Sequence, residues 1–600
     1  MNTKIHFLNK WVAPHAIMLF GLAFGLGLFA FQILGFNFAY FPGDLGDGRL
    51  NLYFLEHAHR FFTGKVPSFW DAPFMYPEDN VISFSDNLLG SAPIYSVFRI
   101  LGFDIFKAYQ LWYVGVTALN FITAFYFLRH VFKNNYAAVL GAFVFAFSLA
   151  LQSQLTHAQT FPRFAIPLAF LMAVKFGETI KPKFLLFAIL AVVYQIYCAI
   201  HLGFMLAVPV AIFLLLVFVQ KWKILFAAGW LLRVLAFGFI GIMLLLPLML
   251  PYMGRNIVPS IEHYRLVAGS LPTITSHFYS QQGSLVWGFL SETGRNHHAW
   301  WDHQIFAGGI ATISVIISMG WMIFYGYKSR FRLSTFNSPV LLLLLTGIFT
   351  FFLYLRWGDT LSAYFFLYFF PGFSSMRSIT RIINIELIFF AIATAFVFSK
   401  ILKHHFKLSP FLFLLALALI VADNYFHADK SYRTKVSIAK ERTESAEKEF
   451  ARIPAGSIVS YEPSKMHSAS IFYHLDAMLL SQKFGLITIN AYTATSPGDF
   501  NMFWHAPNER SRNYWLTEKK LSVDSIYVVQ GKNLTQKVSV DDIQQFSLEM
   551  VKEERLQNLM NTIRADENWM RLVEEKAREH NISVDSMLLL DAKWIIESEN

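Results

Sequence analysis

Only one cysteine, Cys198, occurs in the 600 residues, and it lies within an apolar run. No internal disulfide can form, and cysteine usage leaves the compartment open. Charge is scarce as well: Asp, Glu, Lys and Arg fill 15% of positions against 55% for hydrophobic residues. A water-soluble surface cannot conceal 64 Phe residues with so little charge. Acids are nearly missing from the apolar runs, which argues against a proton or ion pathway through them. There is no P-loop, no GxGxxG after a strand and no HExxH. Internal repeats and low-complexity segments are missing too. The formal charge of +10 would suggest nucleic acid in a soluble protein. Here it belongs to the loops beside a membrane, and no nucleic-acid partner is expected.

What is present is a series of about eleven apolar runs, each close to the length that a bilayer core requires of a helix. They lie at 14–35, 106–128, 136–152, 162–177, 184–200, 202–219, 225–251, 305–326, 338–356, 384–402 and 409–422. The first follows Lys4 and Lys10 and lacks an Ala-x-Ala cleavage site, so it is expected to remain as an anchor. Alternate loops carry Arg129, Lys133, Lys175, Lys181, Lys183, Lys221, Lys223, Lys328, Arg330, Arg332, Lys400, Lys403 and Lys407, with Glu178 as their only acid. Residues 36–88 instead hold Asp44, Asp47, Glu56, Asp71, Glu78, Asp79 and Asp86 against Arg49, Arg60 and Lys65. The positive-inside rule makes the first set cytoplasmic. The expectation is a multi-pass protein of the cytoplasmic (inner) membrane with its N-terminus inside.

Two apolar stretches, 89–101 and 361–371, are too short to span and contain Pro, and they are expected to be interfacial or re-entrant. After Asp423 charge becomes dense and apolar runs shrink to strand length at 457–461, 485–490 and 525–529, among helical patterns at 468–483 and 545–596. The expected fold class is an all-α polytopic membrane domain over 1–423, with outer loops at 36–105 and 252–304. A soluble α/β domain with a helical tail follows over 424–600, on the outer or periplasmic face.

The first outer loop, FPGDLGDGRLNLYFLEHAHRFFTG, sets Asp44 and Asp47 in a Gly-rich turn before a helical pattern. Leu50, Tyr53, Phe54 and Phe61 form an apolar side and Arg49, Glu56, His59 and Arg60 face elsewhere, as in a helix lying along the interface. The plain reading makes Asp47 the N-cap and Asp44 a turn former, and both roles are compatible with catalysis. Asp71, Glu78, Asp79 and Asp86 are expected to shape turns. In PGFSSMRSITR, Arg377 and Arg381 stand four apart and would share a face if helical. Arginines at a boundary snorkel to headgroups or bind a lipid-linked phosphate through their planar fork. Loop 252–304 holds His263, Arg265, His277, His297, His298 and His303, with Glu292 and Asp302. The spacing of RNHHAWWDH matches no zinc signature. SQLTHAQTFPR places His157, Gln159 and Arg163 on the same face, where His157 could hydrogen-bond a sugar or phosphate.

This layout resembles the GT-C superfamily of integral-membrane glycosyltransferases. The likeness rests on an Asp-bearing first outer loop (GDLGDGR), short outer loops, a C-terminal outer domain and the LPGF-like PGFSSMRSITR. It covers the whole chain in architecture and is loose in sequence, with neither a DxD nor an EEx pattern. The resemblance implies an inverting glycosyltransferase using a polyprenyl-phosphate-linked sugar and a glycan, lipid or protein acceptor. It implies that Asp47, with Asp44 second, acts as general base or helps hold a divalent metal, and that Arg377 and Arg381 neutralise the lipid phosphate. Glu56, His157, Arg163, His263 and Arg265 are the further substrate-binding candidates. The rival readings are a lipid or polysaccharide transporter, which would show broken helices and inverted repeats, and a non-catalytic envelope assembly protein.

The orientation has a direct check. A reporter active only in the cytoplasm, fused after Asn600, is expected to be silent; clear activity there would remove the odd-span topology.

Overall fold

In hydrocarbon a backbone must satisfy its own polar groups, so an apolar run that crosses has to fold as a helix. The expected runs do so in the computed structural model. The model describes all residues except 1, 228, 256–257, 298, 329–337, 464, 466–467, 517–518, 520, 522, 532–533 and 599–600. Among the described residues nine helices are long and apolar enough to cross a membrane, from Pro14–Leu34 to Phe406–Asn424. Two shorter apolar helices, Pro182–Cys198 and Pro339–Tyr354, fall on the remaining expected runs. The protein is a multi-pass membrane protein. The short stretches at 89–101 and 361–371 form the helices Ala92–Ile100 and Tyr364–Tyr368, with Val97, Ile100, Phe366 and Leu361 exposed. Of the basic loop residues, Arg330 and Arg332 lie outside the described set.

The chain divides into two compact units. The first comprises residues 1–72 and 80–441, the second residues 73–79 and 442–600. In the first, the abundant Phe forms the core: Phe121, Phe125, Phe127, Phe143, Phe145 and Phe170 are fully buried in one cluster. Two short strands, β1 (Tyr40–Pro42) and β2 (Arg433–Lys435), pair antiparallel with Tyr40 opposite Lys435, tying residues beyond the last apolar helix to the first outer loop.

Several helix ends are closed by side chains. Asp423 Oδ1 accepts from Trp287 Nε1 at 2.7 Å and from the Gly309 amide at 2.9 Å, while its Oδ2 accepts from the Ile310 amide at 3.0 Å. These amides are the unpaired donors at the start of the helix Gly309–Lys328. Gly308 must be glycine here: its φ is +97°, and a Cβ would lie 2.5 Å from Asp423 Oδ2. Asn424 Oδ1 accepts from the Leu149 amide at 2.9 Å.

The second unit carries a four-stranded sheet in the order β4-β3-β5-β6, with β3 Ile458–Glu462, β4 Ile487–Thr488, β5 Ser525–Gln530 and β6 Leu534–Ser539. β3 runs parallel to both β4 and β5, and β6 closes one edge antiparallel. The helix Ser470–Phe484 makes the crossover that a parallel pair requires. Residues 73–79 join this unit through main-chain bonds, Thr488 N to Pro73 O at 3.1 Å and Tyr76 N to Thr488 O at 3.1 Å. Three helices, Val540–Ala565, Glu567–Glu579 and Val584–Ser598, pack around Ile563, Val573 and Leu588. β6 and the joining of 73–79 to this sheet were not expected from the sequence: the first is a mostly polar edge strand, LTQKVS, paired to β5, and the second depends on long-range pairing.

The Asp423 cluster makes a stability prediction. Asp423→Ala leaves three donors without their acceptor, at a cost of roughly 3 kcal/mol. A lowered thermal midpoint of the purified protein is expected, with Asp423→Asn milder because one acceptor oxygen remains.

Candidate active site

The Gly-rich turn of the first loop settles which aspartate caps the helix that follows. Asp44 Oδ1 accepts from the Gly46 amide at 2.9 Å and from the Gly48 amide at 3.4 Å. The helix Asp47–Phe62 has Gly46 at its N-cap position, without a side-chain cap. The expected N-cap role of Asp47 therefore falls to Asp44, and the Asp47 carboxylate is directed elsewhere. Although Asp44 keeps an edge open to water, protein crowds its other sides. Burial, and next the charge of Asp47, raise its pKa above the usual carboxylate range, partly offset by the Gly48 and Gly46 amides.

That helix does not lie half-exposed on a surface. Every residue from Gly48 to His59 is buried, the polar ones included. Arg49 Nε donates to Leu45 O at 2.6 Å. Glu56 accepts from Tyr95 at 2.8 Å and from Arg99 Nε at 2.7 Å. His57 and His59 pair with Phe69 O and Ser96 Oγ. Period-3.6 patterning set Arg49, Glu56 and His59 on the side away from the apolar residues of an interfacial helix, yet all three are buried. Glu56 thus works in a structural ion pair.

Asp47 meets the loop that carries His157. Its Oδ2 lies 3.4 Å from His157 Nδ1, and His157 Nε2 lies 3.7 Å from Asp302 Oδ1. Asp302 Oδ2 in turn accepts from Ser378 Oγ at 3.0 Å. Burial would raise the Asp302 pKa, but His157, Arg381 and Ser378 outweigh it and hold the carboxyl below its ordinary value. A line of polar groups, Asp47, His157, Asp302, Ser378 and Arg381, thus joins four segments distant in sequence.

The two arginines of PGFSSMRSITR part company. Residues 371–378 form a non-helical turn, so no shared helical face exists, and Arg377 is exposed. Arg381 sits in the short 3₁₀ turn Ile379–Ile382, half-buried, with its Nε lacking a hydrogen-bond partner. Arg163 is buried and faces a cavity of about 40 Å³ lined by Tyr113, Asn120, Gln154 and Thr160, its Nε and Nη1 unpartnered. His263 Nδ1 pairs with the Tyr368 hydroxyl at 2.7 Å, and Arg265 is exposed. His303 bonds Ser276 Oγ and Gly269 O, His277 bonds Glu386 at 3.0 Å, and His298 lies outside the described residues. Among the described residues no group of three or more His, Cys, Asp or Glu is placed to hold a metal ion.

Asp302 escaped the sequence reading as a site residue because RNHHAWWDH was weighed only for metal spacing. Asp86 is a plainer correction. It does not merely shape a surface turn, since its Oδ2 lies 3.0 Å from His201 Nδ1. The available signal was a histidine at the seam of two apolar runs, where ionisable groups are costly and therefore informative.

No family model matches the chain, and no curated protein does. Solved structures are similar at low identity. One is the archaeal oligosaccharyltransferase AglB from Archaeoglobus fulgidus in complex with an inhibitory peptide and a dolichol-phosphate. It has 14% identity and a TM-score of 0.46, over 87% of this chain and 70% of that one. The same enzyme tethered to an acceptor peptide containing the NVT sequon gives 13%, 0.47, 87% and 69%. Its complex with Zn and sulfate gives 14%, 0.42, 85% and 67%.

The raised Asp44 pKa carries a prediction with a definite sign. The folded chain holds this proton more tightly than the unfolded chain does, so ionising Asp44 costs stability as pH rises through the folded value. Asn keeps an acceptor oxygen for Gly46 and Gly48 without the charge. Asp44→Asn is expected to raise the thermal midpoint at about pH 7, with the gain vanishing as pH falls to about 4.

Proposed function

We propose that this chain is a membrane glycosyltransferase that moves a sugar from a polyprenyl-phosphate donor to an acceptor hydroxyl or amide on the outer face. The observation that carries the reading is the polar line from Asp47 through His157 and Asp302 to Ser378 and Arg381. A carboxylate able to take a proton and a cation able to receive a departing phosphate thereby face one region, from different loops. The solved structures above belong to the same class, and their distance from this chain leaves the geometry to support the reading.

In the proposed step Asp47 accepts the proton of the acceptor as its heteroatom attacks the anomeric carbon. The bond from that carbon to the lipid phosphate breaks, and the phosphate leaves with the electron pair. A single displacement of this kind inverts the anomeric centre. Arg381 supplies fixed positive charge where negative charge grows, which counts most in a site shielded from water. His157, flanked by two carboxylates, positions Asp47. Arg377, exposed on the adjoining turn, is the second candidate for the phosphate. A divalent metal is compatible with the hard oxygens of Asp44 and Asp47, but no third ligand joins them among the described residues. The chain's own groups carry every step named here. On this reading the membrane is the cytoplasmic one and residues 424–600 stand on its outer face.

Transfer from purified polyprenyl-phosphate sugars tests the assignment. Asp47→Asn should lower the rate by roughly 10²–10⁴-fold while the protein stays folded and inserted. Arg381→Gln should raise the donor KM, and Arg381→Lys should recover only part, because an ammonium lacks the planar fork. Parental rates in Asp47→Asn, in Asp44→Asn and in the double variant would overturn the role given to this loop.

A further inference from the structure

The helices Pro182–Cys198 and Ile200–Gln220 are separated by a single residue, Ala199, in an extended conformation with φ −162° and ψ 114°. The loop at 85–91 packs into this break. Gly90 N donates to Tyr197 O at 2.7 Å, and a Cβ on Gly90 would fall 2.7 Å from the Cys198 backbone nitrogen. Asp86, in the same loop, uses both of its oxygens. Oδ1 accepts from the Ile200 amide at 3.2 Å and from the Asn87 amide at 3.0 Å, and Oδ2 pairs with His201 Nδ1 at 3.0 Å. An ionised carboxylate can only accept, so Nδ1 carries the hydrogen and Nε2 is the titrating position. Nε2 of His201 is buried without a hydrogen-bond partner, as is Nε of Arg381. The His201 ring lies within electrostatic reach of Arg381 and of His157.

Two orphaned polar nitrogens, on an imidazole backed by a carboxylate and on a guanidinium, call for a ligand with several acceptor oxygens. We propose that His201 binds the donor's phosphate beside Arg381, with Nε2 donating in the protonated ring and Asp86 stabilising that imidazolium. The inference rests on the function proposed above and deepens it by naming a phosphate ligand that the sequence reading did not include. His201 touches the substrate; Asp86 is its positioning residue. The phosphate bears one negative charge as a sugar ester and approaches two once the sugar has left. A proton held on His201 therefore favours the departing group over the bound donor, the direction in which catalysis needs binding to strengthen. The titratable or charged groups facing this ring are Asp86 from the loop, His157 and Arg381. Cys198 and Tyr252 face Asp86 from behind.

The test is binding of a short-chain polyprenyl phosphate to the full-length protein in lipid nanodiscs, with the matching polyprenyl alcohol as control. The parent is expected to prefer the phosphate over the alcohol. His201→Gln should weaken phosphate binding about tenfold and flatten its pH dependence as pH falls below about 6.5, leaving alcohol binding unchanged. Should the Gln variant fail to fold, Asp86→Asn still decides. It keeps an acceptor for the Ile200 amide while removing the charge behind the imidazolium, so weaker and flatter phosphate binding is expected. Parental binding by either folded variant, with binding lost in Arg381→Gln, would overturn the role of His201 and leave the glycosyltransferase reading standing. No preference of the parent for phosphate over alcohol would overturn both.

Discussion

Where an apolar helix stops at the edge of a bilayer, its last amides and carbonyls have no water to turn to and must be met by the protein itself. In this chain side chains from distant segments meet several of them. Asp423 closes the start of the helix Gly309–Lys328, Asp86 holds the Ile200 amide, Asp44 gathers the amides of Gly46 and Gly48, and Asn424 takes that of Leu149. The bonds of Asp423, Asn424 and Asp86 join segments distant in sequence as well as satisfying donors, while those of Asp44 are local. The loops are short and heavily tied, and their remaining side chains are held in place by the same ties.

The proposed chemistry depends on that fixing. Asp47 and Arg381 come from segments more than three hundred residues apart, and nothing local would align them. They are linked because His157 stands between Asp47 and Asp302, and Asp302 in turn accepts from Ser378 in the segment that carries Arg381. An imidazole between two carboxylates also keeps either acid from facing the other directly. Asp44 has no such mediator toward Asp47, and the charge of Asp47 adds to burial in raising its pKa.

Much of the fold was legible because it follows from composition and period. Runs of apolar residues became helices at their expected places, and the shift in composition after Asp423 foretold strands and tail helices. The helix Asp47–Phe62 marks where that reasoning ends. Its polar residues alternate as they would on a water-facing side, yet Glu56, His57 and His59 are buried against Arg99, Phe69 and Ser96, partners that only tertiary structure supplies. The pairing of residues 73–79 with the sheet near β4 was hidden for the same reason. At the candidate site, residue type singled out Asp47, His157 and Arg381, while Asp302 and His201 drew notice only from their neighbours in the fold. Arg377 and Arg381 show the converse, since a spacing of four says nothing once the segment is a turn rather than a helix.

The break at Ala199 has a practical side. Cys198, the single thiol of the chain, is buried at that seam, with Gly90 pressed against its backbone. A thiol-directed reagent therefore has one address on the whole molecule, and reaching it requires an opening of the buried seam where Gly90 lies against it. The rate of alkylation becomes a clock for that opening, read on the unmodified protein without introducing a label or removing a competing cysteine.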